Sequence, residues 1–222
     1  MTQWVENPTG GRDHGPIALV RAWVEILLRP RRFFETGIAP GDQAPGLVFI
    51  GVVVLVEEAS RFAVVELAER GRLSLGPYPY PVIGDLEPLM AVLLLVATVV
   101  FVAPAALHLT AAVQTIVLAL LAPDRGGISE TVQVLAYATA PCVFVGVPVP
   151  EVRLACALWG IGLYLYGMCV IHNVSLPRAA VAITLPAAII FGYGFRGIPA
   201  AELLVTPAVE STIEPAINAV FG

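Results

Sequence analysis

The chain has 222 residues, 58% of them hydrophobic and only 13% charged, with a mean hydropathy of +0.84. A water-soluble domain carries roughly 25% charged residues, so a soluble globule is excluded and an integral membrane protein is expected. The twelve basic residues are all arginine and face 17 acidic groups, which excludes the clustered positive footprint of a nucleic-acid-binding protein.

The lack of lysine and the excess of acid fit a prokaryote of high GC content, with a surface suited to strong salt. Cys142, Cys156 and Cys169 sit in apolar runs without CxxC spacing, so they read as small buried hydrophobes and not as a disulfide or metal set. The first 16 residues are polar and the first long apolar run begins beyond residue 45. No cleavable signal peptide is expected, and insertion falls to the first spanning helix.

Residues 1–15 lack periodicity and read as a flexible tail. From Pro16, the residues Ile17, Leu19, Val20, Trp23, Val24, Leu27 and Leu28 recur at helical spacing, with Arg21, Glu25 and Arg29 on another face. Residues 16–36 therefore contain an amphipathic helix stopped at Pro30, lying in the lipid interface or packed on the cytoplasmic mouth of a bundle. Its candidate interfacial anchors are Trp23, Arg29, Arg31, Arg32, Phe33 and Phe34.

The remainder predicts an all-α, polytopic membrane bundle of five transmembrane helices, about 46–66, 86–121, 131–147, 154–171 and 179–194, followed by an extracytoplasmic tail over 196–222. The first span holds Glu57, Glu58 and Arg61. Charges there are costly and face a partner or a bundle interior. Glu57 and Arg61 are one turn apart, in register for an ion pair. They read either as a proton or ion relay or as a self-neutralising group where the helix leaves the hydrocarbon.

The segment GPYPYPVIGD, 76–85, reads as an interfacial loop with aromatic anchors. The run 86–121 would extend roughly 50 Å as a helix, against a hydrocarbon core of about 30 Å. Two short spans meeting near Pro104 would lack turn residues between them, so one long helix bent at Pro104 is preferred. His108 and Gln114 lie in its later half. His108 has no second ligand at i+3 or i+4 and reads as a helix-contact residue.

Arg12, Arg21, Arg29, Arg31 and Arg32 precede span one, Arg125 lies between spans two and three, and Arg178 between four and five. The excess of basic residues in these segments puts the amino terminus in the cytoplasm, and five spans put the carboxyl tail outside.

Three stretches, RPRRFF before span one, SETVQVLAYATAP in span three and LWGIGLYLYGMCVIHNVSLPRAA through span four, together resemble the Yip1 domain family over roughly residues 25–195, in a prokaryotic, archaeal form. The resemblance implies a five-helix bundle with a cytoplasmic amino terminus. In eukaryotic members it also implies membrane trafficking and contact with Rab-type GTPases, which the short cytoplasmic tail here argues against.

Gly160, Gly162 and Gly167 remove side chains where a helix can approach closely, and Trp159, Tyr164 and Tyr166 could anchor that contact. Pro141 leaves a carbonyl near Tyr137 in need of a partner from another helix. Pro141, Trp159 and the three glycines form a candidate packing or partner interface. His172 could meet His108 or Gln114 across the cytoplasmic side, completing a polar cluster with the span-one charges.

There is no HExxH, GxSxG or GxxxxGK. No catalytic residue, cofactor or metal is expected. The leading expectation is a non-enzymatic, multi-pass cell-membrane protein that organises the bilayer, a homo-oligomer or a membrane-protein partner. The alternative is a transporter or channel using Glu57, Glu58 and Arg61.

Overall fold

The computed structural model describes residues 3–6, 12–69, 87–122 and 125–206. Between connecting turns and loops these are helical, apart from one short antiparallel pair, β1 (Gln3–Glu6) with β2 (Arg12–His14), inside the segment expected to be a tail. The expected aromatic loop 76–85, Arg70, Arg72 and residues 207–222 lie outside the described residues.

The amphipathic region forms two helices, α1 (Gly15–Leu28) and α2 (Pro30–Thr36). Pro30 ends the first and, lacking an N–H that a first turn would leave unpaired anyway, opens the second. Next comes α3 (Ala44–Glu69). Beyond it, α4 (Pro88–Ala97), a π turn (Thr98–Val102) and α5 (Ala103–Leu121) run on as one helix. The π turn falls just before Pro104, whose missing N–H and bulky ring prevent a normal α turn there.

The sequence places an interruption at Pro141 in the expected third span, and the helix breaks there. α6 (Ile128–Ala138) gives way to a 3-10 turn over Ala140–Phe144. Pro141 cannot donate to the preceding turn, and the Thr139 hydroxyl donates to the Ala136 carbonyl at 2.6 Å, so the helix tightens and stops. α7 (Pro150–His172) ends on Asn173 in the left-handed conformation, and α8 (Leu176–Ala187) continues as a π turn to Gly194. α9 covers Gly197–Thr206.

Among the described residues, three helices are long and apolar enough to cross a membrane: Leu89–Leu121, Pro150–His172 and Leu176–Gly194. α6 is the buried axis of the bundle, with every residue from Thr131 to Ala138 inaccessible, and it packs against α3, α5 and α7. Outward faces are apolar instead: Leu109, Ile116 and Leu120 on α5 point away from the bundle, as lipid-facing residues do.

α1 presents two apolar faces. Its inner face is the narrow row Ala18, Ala22 and Ile26, while Ile17, Val20, Val24 and Leu28 are exposed. Small alanines allow close packing, and the bulkier residues are left facing outward.

Candidate functional site

The ionisable residues of α3 meet a partner from the far end of the chain. Arg196, at φ +59 just after the α8 π turn, reaches between Glu57 and Glu58. Its Nη1 donates to Glu57 Oε1 and its Nη2 to Glu58 Oε1, the latter at 3.0 Å. Arg61 Nη2 donates to the other Glu58 oxygen. The expected Glu57–Arg61 pair is thus replaced: Arg61 takes Glu58 at i+3, and Arg196 supplies the charge for Glu57. Glu57 is 2% and Arg61 6% exposed, a depth at which an unpaired charge would be very costly. Burial works against the Arg196 charge, but Glu57 and Glu58 more than offset it and raise its pKa.

The loop after the 3-10 turn closes on this group. The Ser60 hydroxyl donates to the Glu57 carbonyl at 2.8 Å, and Gly146 sits so tightly against both that a Cβ would overlap them. Arg153, from the first turn of α7, donates to the Val145 carbonyl at 3.1 Å. Two carboxylates and two guanidiniums therefore tie α3 to the end of α8, beside the α6–α7 turn.

The other polar residues expected in this cluster lie elsewhere. His108 Nδ1 is 2.7 Å from the Pro104 carbonyl, and its Nε2 is 2.8 Å from Gln43 Oε1, whose amide nitrogen donates to Ser129 Oγ at 3.2 Å. Both ring nitrogens face acceptors in this arrangement. Rotating the Gln43 amide by half a turn lets Nδ1–H donate to Pro104 and Nε2 accept. Gln114 accepts from the Tyr164 hydroxyl. His172 Nε2 lies 3.2 Å from Thr131 Oγ1. His172 meets neither His108 nor Gln114, because each is on a face turned to a different neighbour.

The proposed interface residues divide in the same way. At Gly160 a Cβ would strike the Phe191 ring, and at Gly167 it would lie 2.8 Å from Phe34 Cε1 and Val134 Cγ1. Both glycines are spent on packing inside this chain. Gly162 faces open space beside the exposed Leu158 and Trp159. Pro141 is buried at the end of α6.

Among the expected anchors, Phe33 and Phe34 are fully buried, and Phe33 packs edge-on to Tyr137 with ring centroids 4.8 Å apart. Trp23 is turned inward: its indole N–H donates to the Ala140 carbonyl at 2.7 Å and its ring contacts Phe144. The partner foreseen for a carbonyl near Pro141 exists, but on Ala140 rather than near Tyr137. Arg29 and Arg31 are exposed and Arg32 partly so. The Glu35 carboxylate accepts from Arg31 Nε and raises its pKa.

Arg196, Gly146, Gln43 and Gln133 were absent from the expected site. Gln133 had a visible signal, a lone amide inside an apolar run; Arg196 had only its place as the first cation after the last span. Among the described residues no group of His, Cys, Asp or Glu is placed to hold a metal ion.

Apolar outer faces, buried polar ties and three helices able to cross a bilayer define a helical membrane-bundle protein. The Yip1 domain matches residues 24–196, well over half of the chain, and the protein belongs to the Yip1 domain family. No curated protein and no solved structure matches it.

Proposed function

We propose that this protein is a non-enzymatic, five-span organiser of the cell membrane that binds a second copy of itself or another membrane protein through an outward helix face. Gly162 on α7 is the observation that carries the reading: among the described residues nothing lies within 4 Å of a Cβ placed there, while Leu158 and Trp159 stand exposed on the same face. A glycine beside a large aromatic is a surface on which another helix can pack closely.

The five-span count is supported by the 26-residue length of α3 and by α6 with its 3-10 turn, which together run from 128 to 144. The distribution of arginines supports a cytoplasmic amino terminus and an extracytoplasmic carboxyl terminus. Proteins of this family are membrane proteins that interact with membranes and other proteins, and they are generally not enzymes. Nothing favours an ion path, since Glu57 and Glu58 are already engaged by Arg61 and Arg196.

Native mass analysis and crosslinking of protein gently extracted from its membrane test this reading. The expected result is a defined oligomer or a recurrent membrane-protein partner that is lost in Gly162→Leu and Trp159→Ala at unchanged thermal stability. A lone monomer, or an assembly indifferent to both substitutions, overturns it.

A further inference from the structure

A crevice of about 160 Å³ lies between α3, the π turn joining α4 to α5, and the end of α8. Val54, Val102, Ala103, Ala106 and Ile190 line it together with Thr98, Glu57 and Glu58. Its origin is local. The π turn changes the path of the long helix beside α3, alanines stand where larger side chains would fill the gap, and the helical run of α8 ends at Gly194.

Glu57 and Glu58 are paired with Arg61 and Arg196, so their charge is compensated, and the rest of the lining offers an apolar guest mostly aliphatic walls. An apolar cavity of about 150 Å³ stays free of water and takes a benzene-sized guest. Val102, one of the residues lining it, is 58% exposed, on a helix long and apolar enough to cross a bilayer. The medium in front of the crevice is therefore hydrocarbon. A guest that enters from it must be apolar and flexible enough to turn between α3 and α5.

We propose that this crevice is a lipid site that holds a segment of one acyl chain of a membrane phospholipid. The chain fills the space left by the π turn and lies against the base of the Glu57–Arg196 pair, bracing α3, α5 and the end of α8 together. The inference stands apart from the α7 interface, which is on another helix and another face.

The test uses the full-length protein in phosphatidylcholine vesicles carrying a diazirine on one acyl chain, photolysed and mapped by peptide mass analysis. Labelling is expected at Val54, Ala106 and Ile190, in addition to the outward controls Leu109, Ile116 and Leu120. Ala106→Phe, which fills the crevice, should lose the inner labels and keep the controls. Should Ala106→Phe fold poorly, Val102→Trp narrows the same crevice from its exposed mouth. Absence of inner label in the wild type, inner label that survives in a folded filled variant, or crosslinks from Val54 to a second copy of the chain would each overturn the proposal.

Discussion

Gln133 holds Ala39 by both ends of its amide: the Ala39 N–H donates to Gln133 Oε1 at 3.0 Å, and Gln133 Nε2 donates to the Ala39 carbonyl at 2.7 Å. The pair fastens the link between α2 and α3 to the buried axis of the bundle. α3 enters immediately afterwards, with Gly46 so close that a Cβ there would lie 3.2 Å from the Gln133 Cα. Leucine at 133 would keep the volume and leave both backbone groups of Ala39 without this partner. A loss of about 1–3 kcal/mol is expected, read as a lowered midpoint of thermal unfolding in detergent. An unchanged midpoint would mean that water replaces the amide without cost.

Arg196→Leu strands the buried Glu57 carboxylate. Removing one member of a buried pair costs on the order of 3–5 kcal/mol, whereas Glu57→Gln combined with Arg196→Leu should recover much of that loss. The coupling energy of the double-mutant cycle is the measurement. Additive single effects would show that Glu57 and Arg196 do not depend on each other.

The glycines of α7 should separate cleanly. Gly160→Ala and Gly167→Ala place a methyl into Phe191 and into Phe34 with Val134, and overpacking of this kind costs typically about 1–3 kcal/mol. Gly162→Ala meets open space and gains helix propensity, so it should be neutral or stabilising by up to about 1 kcal/mol. Thermal unfolding of the three variants side by side checks the order.

Gly146→Ala should destabilise strongly, because its methyl would overlap the Ser60 hydroxyl and the Glu57 carbonyl. Adding Ser60→Ala removes the first obstacle and leaves the second, which is backbone. Partial rescue at most is expected in the unfolding midpoint, and full rescue would show that the loop can shift.

Trp23→Phe keeps an aromatic ring near Phe144 and deletes the N–H that bonds to Ala140. A loss of about 1 kcal/mol is expected, together with faster proteolysis at the α1–α2 junction. Equal proteolysis rates in the two proteins would mean that α1 is held by its alanine face alone.

Much of this architecture was legible in the linear chain. Pro30, Pro104 and Pro141 act through a missing N–H and a fixed φ, which are local properties, so the stop after α1, the deviation in the long helix and the interruption after α6 could be anticipated near those residues. Apolar content identified the membrane class for the same reason: transfer into hydrocarbon is nearly a sum over residues. The Yip1 resemblance rested on stretches in the region that the family match covers, 24–196.

Pairing was decided only in three dimensions. Glu57 and Arg61 have the right spacing for each other, yet the end of α8 delivers Arg196 and changes both partners. Which apolar residues of α1 meet the bundle was also decided by packing: Ala18, Ala22 and Ile26 are buried while Ile17 and Val20 face outward, because small residues allow the closer approach. Gly160, Gly162 and Gly167 look alike in sequence and differ in what stands opposite each one. The physical reason is common to all three cases. Propensity and transfer energy belong to a residue and its near neighbours, while the partner of the buried Glu57 charge is Arg196 and the ring facing the missing Cβ of Gly167 is Phe34, each more than a hundred residues away.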